Sequence, residues 1–238
     1  MFNAKNTLLR MLHSLAGQSY DNWRLILVDD VSDLDHRAAC QKHINHFQDN
    51  YRVETYWNDE KKWEIANVLF GVSKCSDNDI ICRIDADDYL VDLDALMYLN
   101  VLYESHGFEA LWTAHRWGFT DKNISGPMSP DANPYKHPWV SSHLKTFRKY
   151  LINQVPYENF LNQNNELVRR AGDQAIYLPV LSRTTRRVFV PRVMYHYNID
   201  EKNGEIYQTD DAKFQKAEAD FLRARGFVRQ GQPWESFL

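Results

Sequence analysis

Two groups of carboxylates stand out as residues able to do chemistry. Asp29-Asp30 closes the apolar run at residues 23–28 (WRLILV), and Asp85-Ala86-Asp87-Asp88 closes another at residues 79–84 (DIICRI). Acids crowded together repel one another unless a cation or hydrogen-bond donors compensate. A hard divalent ion, held by one or two carboxylates together with substrate phosphates, is an economical compensator. Such an ion would neutralise the charge that builds up on a diphosphate leaving group. For Asp29 and Asp30 taken alone, capping a helix or turning the chain is an equally good account. Three acids in four positions exceed what one cap needs, and Asp92 is better placed to cap the helix that follows.

The clusters can meet only if the chain brings their strands to one edge. The first half reads as alternating helix and strand. A helix carries Leu8, Leu9, Met11, Leu12 and Leu15 on a broad apolar face and closes at Gly17. Residues 23–28 read as a buried strand, 34–47 as a helix, 51–57 as a strand, 62–73 as a helix and 79–84 as a buried strand. Residues 92–105 then read as a helix and 110–117 as a strand. This alternation predicts a parallel sheet with helices on both faces, with both acidic clusters at the carboxyl ends of strands. Open sheets of this kind bind ligands at that edge. Residues 118–140 hold Gly126 and four prolines and read as a long loop or lid. Helical patterns return at 142–151 and 174–182, two short strands flank Pro191, and a charged helix runs from Asp210 to Arg225 and stops at Gly226. The division is 1–117 and 118–238, two halves of one continuous domain.

Composition narrows the classes. The chain has 238 residues, 44% hydrophobic and 25% charged, enough apolar material for one sizeable core. A net charge of −4 gives no basic field for nucleic acid. The apolar runs are strand-sized and too short to span a bilayer, and no leader pattern opens the chain. Three cysteines, Cys40, Cys75 and Cys82, show no metal or disulfide spacing and suit reduced thiols in the cytoplasm. Aromatic residues reach 13%; stacking on a base or a sugar is one use, and core packing is the commoner one.

The motifs in order resemble one family. The run Phe2-Asn3, Leu8, Leu12, Ser14-Leu15, Gln18-Ser19-Tyr20, Asn22-Trp23 and Val28-Asp29-Asp30-Val31-Ser32 resembles the opening of family 2 glycosyltransferases, and Ile84-Asp85-Ala86-Asp87-Asp88 is similar to that family's DxD segment. The resemblance implies an α/β fold of the GT-A type: a Rossmann-like, mostly parallel sheet with helices on both faces and a smaller C-terminal acceptor-side region. It implies a donor that is a nucleotide-sugar, of the UDP-sugar type, and an acceptor that is a glycan or another hydroxyl compound, with Mn2+ or Mg2+ as cofactor. Asp30 would accept hydrogen bonds from the base, Asp85 would contact the ribose or the metal shell, Asp87 would ligate the metal and Asp88 would support the donor sugar.

In the second half, Gly172-Asp173-Gln174 stands where the family has Glu-Asp, so Asp173 would be the general base of an inverting transfer. A plain N-cap is the competing reading of Asp173. His196, within Tyr195-His196-Tyr197, would serve the metal or the diphosphate; packing is the commoner role for such a histidine. The segment with His143, Lys145 and Arg148 resembles one beside the acceptor. Lys145 and Arg148, three apart, would share a face of the expected helix and pair with acceptor phosphate, or simply be solvated. Trp139 could stack on a sugar. The family's first inner strand ends about where Met1-Phe2-Asn3 begins. That departure implies unpaired backbone beside the gap, hence lower stability or pairing with another chain, as in a homo-oligomer. Two other classes compete. A nucleotidyltransferase would need a Gly-rich phosphate loop, which the sequence lacks. A degenerate module that binds nucleotide-sugar without turnover fits the same motifs.

Overall fold

The computed structural model describes residues 1–199 and 210–238. Seven strands and seven helices are described. In the first half these are α1 (Leu8–Ala16), β1 (Leu25–Asp29), α2 (Leu34–Gln48), β2 (Val53–Trp57), α3 (Trp63–Ser73), β3 (Ile80–Arg83), β4 (Tyr89–Leu90), α4 (Ala95–His106) and β5 (Ala110–Trp117). The second half holds β6 (Lys145–Arg148), α5 (Lys149–Asn153), α6 (Gly172–Leu181), β7 (Arg187–Tyr197) and α7 (Asp210–Arg225).

Five strands form a mixed sheet in the order β3-β6-β5-β7-β4, while β1 and β2 form a separate parallel pair. Only β5 and β7 run parallel within the larger sheet; β6 is antiparallel to both β3 and β5, and β4 is antiparallel to β7. The sheet is therefore less parallel than the alternation of elements predicts, because β4 follows β3 and β6 follows β5 with no helix between them. Both faces are covered. Successive β5 residues point to opposite faces, so Ala110 and Trp112 join one core with Ile65 of α3, Leu151 of α5, Ile176 of α6 and Leu222 of α7. Leu111 joins the other, with Leu8 and Leu12 of α1, Ile44 of α2 and Leu99 of α4. α1 buries Leu8, Met11, Leu12 and Leu15, the spacing that forms one helical stripe.

Two local readings change. The stretch expected to be helical at 142–151 is β6 followed by the short α5. Leu144, Phe147 and Leu151 have the spacing of one helical face, and pairing with β3 and β5 overrides it: Leu144 and Phe147 enter opposite cores. The two strands expected around Pro191 are one strand with a bulge: Thr113 faces Val190 and Ala114 faces Val193, so Pro191 and Arg192 are looped out. A residue with no N–H is tolerated at such a place.

The gap beside β1 is visible in the structure. β1 and β3 are each the edge of their own sheet, and both line one cleft of about 1180 Å³. Met1 touches β1 at one end of this cleft: its nitrogen donates to the Val28 carbonyl and its carbonyl accepts the Asp30 N–H at 2.9 Å. That is the pattern of a parallel bridge opposite Asp29. The loop at 118–140 is irregular, as expected, and is anchored: Met128 and Tyr135 are buried, and the Arg187 guanidinium donates to the carbonyls of Pro130 (2.9 Å) and Ala132. No helix among the described residues is long and apolar enough to cross a membrane.

Candidate active site

Three of the expected donor-side acids meet on one cleft. Asp30, at the end of β1, and Asp85 and Asp87, in the turn after β3, line the same walls. Asp29 has a local task instead. It is 1% exposed, accepts the Ser32 N–H at 3.1 Å and pairs with Arg37 at 2.8 Å, which fixes the turn into α2.

Asp30 accepts the backbone N–H of Lys62 at 2.7 Å and of Trp63 at 3.1 Å, with the Asn58 amide at 3.4 Å. Burial opposes its charge, but the Lys62 N–H, the Asn67 and Asn58 amides and nearby Lys61 hold it below the usual carboxylate range. The backbone it holds is unusual: Trp63 has φ +64, a conformation costly for a bulky residue. Arg169 and Arg170 lie over the Trp63 ring at 5.5 and 5.3 Å, and Lys61 at 5.2 Å. All four residues line the cleft beside the acids, so cations and carboxylates share its polar end.

Asp88 is 1% exposed and accepts the Tyr195 hydroxyl and the Asn198 N–H, each at 2.8 Å. The Tyr195 oxygen in turn accepts the Asp85 N–H at 3.2 Å, so β7 holds both ends of the acidic turn. Oxygen or nitrogen atoms of Asp85, Asp88 and His143 lie within 4.8 Å of one another. An oxygen-rich set with one imidazole suits Mn2+ and, with fewer protein ligands, Mg2+.

Asp173 occupies the first turn of α6 and is the centre of an ionic cluster. Its Oδ1 lies 2.5 Å from Arg83 Nη1 and 2.8 Å from Lys145 Nζ, and its Oδ2 lies 3.8 Å from His143 Nε2. Arg83 also reaches Asp85 at 2.9 Å and Glu64 at 2.7 Å. Burial opposes the Asp173 charge, yet Lys145 and Arg83 hold this carboxyl well below the ordinary range. Burial, with Lys145 beside it, pushes His143 down to about 3, so its ring is neutral and its Nδ1 accepts from Lys145 at 3.2 Å. The ring is stacked between Tyr195 and Tyr197, with centroids 4.7 and 5.2 Å away.

The remaining expected residues lie elsewhere. His196 is 1% exposed, stacks on Tyr89 at 4.4 Å and accepts from Arg116 at 3.3 Å; it is outside the group formed by Asp85, Asp88 and His143. Arg148 does not share a face with Lys145, because β6 is a strand and residues three apart on a strand point to opposite faces. It pairs with Glu104 at 2.6 Å and the Asn78 carbonyl at 2.7 Å, at the far end of the cleft from Asp173. Trp139 is partly buried against the core on the α6 side. Sequence reasoning missed Arg83, Glu64, Trp63 and Tyr195. Arg83 had a signal, a cation inside an otherwise apolar strand; Glu64 had none, since an acid near a helix start is ordinary.

Comparison with known proteins places the architecture. The sequence profile of glycosyl transferase family 2 matches residues 1–155. Over 88 residues, 37% of this chain, it is 32% identical to EpsE of Bacillus subtilis (strain 168), which bears a glycosyltransferase name. The match spans 31% of EpsE, about a third of that protein's length. Among solved structures, S. aureus TarS 1-349 superposes with a TM-score of 0.66 at 15% identity, covering 93% of this chain and 68% of TarS 1-349. The same fragment has been solved with UDP-GlcNAc, at a TM-score of 0.66 and 14% identity. The mannosyltransferase PcManGT from Pyrobaculum calidifontis, solved with GDP-Man and Mn2+, gives 0.60 at 14% identity, covering 85% of this chain and 56% of its own. The fold is that of the GT-A glycosyltransferases. The chain belongs to glycosyl transferase family 2.

Proposed function

We propose that the protein transfers a sugar from a nucleoside diphosphate donor, a UDP-sugar, to an acceptor hydroxyl in one inverting step. The observation that carries this reading is the meeting of Asp30, Asp85 and Asp87 on one cleft, with Asp173 tied to Asp85 through Arg83. The complexes of TarS with UDP-GlcNAc and of PcManGT with GDP-Man support a nucleotide-sugar donor.

Asp30 and the Trp63 backbone that it holds form the wall for the nucleoside. Lys61, Arg169 and Arg170 face the donor's phosphates. Asp87 and Asp85, with Asp88 and His143 in reach, would hold Mn2+ or Mg2+. The bound ion supplies charge stabilisation of the departing diphosphate. Among the two candidate histidines we assign this role to His143, the one whose ring lies with Asp85 and Asp88; His196 supports the turn by stacking on Tyr89.

Asp173 is the proton acceptor for the attacking hydroxyl. Lys145 and Arg83 keep it ionised before the acceptor arrives, so no proton need be shed first. General-base assistance is worth about 10²–10⁴-fold. Trp139 and Lys145 are placed on the acceptor side of this reading. Incubating the protein with UDP-sugars and Mn2+ and assaying donor hydrolysis and sugar transfer tests it; release of UDP is expected with at least one sugar. The open edge between β1 and β3 favours one alternative, a module that binds donor without turnover, and donor binding with no hydrolysis or transfer is what that alternative predicts.

A further inference from the structure

Trp63 lines the cleft and belongs to neither of the two cores. Its φ of +64 strains any residue with a side chain, and Asp30 fixes it by accepting the N–H groups of Lys62 and Trp63. Glycine would take this backbone freely. The turn alone therefore gives no reason for an indole at this position, and neither does core packing.

The surroundings of the ring give one. The guanidinium carbons of Arg169 and Arg170 lie 5.5 and 5.3 Å from its centroid, and Lys61 Nζ lies 5.2 Å away. The face of an aromatic ring attracts cations, and the indole does so most strongly. The backbone that carries the two arginines is already fixed, because Glu218 accepts their N–H groups at 3.1 and 2.8 Å. The first turn of α3 also packs on this segment: an ideal Cβ at Gly172 would lie 2.3 Å from the Glu64 carboxyl carbon. The side chains are held less firmly. Arg169 pairs with Glu166 at 3.4 Å and Arg170 with Asp211 at 3.1 Å, and both acids are at the surface, where such pairs contribute little. Three like charges brought to one place repel one another. The Trp63 ring is the group that all three share and that offsets this repulsion.

We propose that Trp63 is a positioning residue for the donor, its ring gathering Lys61, Arg169 and Arg170 at the polar end of the cleft to meet the donor's diphosphate. The proposal rests on the donor being a nucleoside diphosphate. The indole acts through the cations and needs no contact with phosphate itself. A guanidinium lying on a ring keeps its in-plane N–H groups for phosphate oxygens. Ordering these long side chains beforehand removes part of the entropy that binding would otherwise lose.

Calorimetric titration of UDP with Mn2+ into the full chain tests this. The variants are Trp63→Leu, Trp63→Phe, the pair Arg169→Gln with Arg170→Gln, and that pair combined with Trp63→Leu. Leucine keeps apolar bulk, is not β-branched and has no π face. Trp63→Leu should weaken UDP binding about tenfold, and Trp63→Phe less than about threefold. Once both arginines are gone, adding Trp63→Leu should cost less than about a further twofold, because the ring then has only Lys61 to hold. Thermal melting of each variant separates this from a loss of fold. Unaltered UDP affinity in Trp63→Leu overturns the proposal. So does an equal loss from Trp63→Leu with and without the arginines, or a Trp63→Phe protein that melts normally and binds no better than Trp63→Leu. If the unaltered protein binds neither UDP nor GDP, the reading of the donor fails and the proposal falls with it.

Discussion

Asp173 is ionised because Lys145 and Arg83 lie 2.8 and 2.5 Å away, and the same two cations lower its basicity. Replacing it by Asn keeps the shape and removes the proton acceptor. Asp173→Asn should cut transfer by at least about 10²-fold while UDP affinity, measured by calorimetry, changes little. Asp30 predicts the opposite balance. It satisfies the N–H groups of Lys62 and Trp63, so Asp30→Ala leaves buried donors unpaired, at about 1–3 kcal/mol. Denaturant unfolding should show that loss, and UDP binding should weaken with it. Acid works on the same groups. Asp30 and Asp173 have folded-state affinities for protons lower than their ordinary ones, so the stability they contribute is present above about pH 4 and is lost as pH falls below it. Glu64 has the reverse sign. Its unfolded form ionises near 4.5 and its folded form near 7, so it costs stability as pH rises between those values. Melting of Glu64→Gln should therefore equal or exceed that of the unaltered protein at pH 8.

Among the elements, α6 is positioned from outside by α7. Glu218 of α7 is fully buried and accepts the N–H groups of Arg169 (3.1 Å), Arg170 (2.8 Å) and Ala171 (3.2 Å), the residues that lead into α6. Glu218→Ala strands these donors, and a loss of more than about 2 kcal/mol is expected in chemical unfolding, with transfer lowered because Asp173 follows directly. In the first half α1 and β1 were legible because each is an apolar run with the length and period of its element, whereas the two-residue β4 carries no pattern of its own. The acidic turn at residues 85–88 was legible because three acids in four positions exceed what one cap needs, whereas Asp29 serves the turn into α2. The second half was less so. Leu144, Phe147 and Leu151 have helical spacing, and only their neighbours in space make residues 145–148 a strand buried on both faces. Lys145 pairs with Asp173, a contact 28 residues away that no local pattern encodes. Glu64 and Arg83 were missed on the same ground, since their surroundings include Gly172 and Asp173, far along the chain.

The molecule as a whole has two sheets, the β1-β2 pair and the five-stranded sheet. Among the described residues β1 and β3 are edge strands on a shared cleft, and Met1 bridges to the end of β1 in the parallel sense. Edges of this kind invite a further strand. Six added residues alternating Val, Ile and Thr ahead of Met1 should raise the melting temperature by more than about 5 °C. A Gly/Ser extension of equal length should leave it unchanged. Equal melting for both extensions would show that the cleft does not take a strand.

The acids on this cleft tolerate one another only with cations among them, and the account assigns part of that compensation to a divalent ion carried with the donor. Calorimetric titration of UDP, with and without Mn2+, into the unaltered protein and Asp87→Ala tests this most directly. The account predicts binding that depends on Mn2+ and disappears in Asp87→Ala. UDP binding of equal strength with and without the metal, in both proteins, would contradict it.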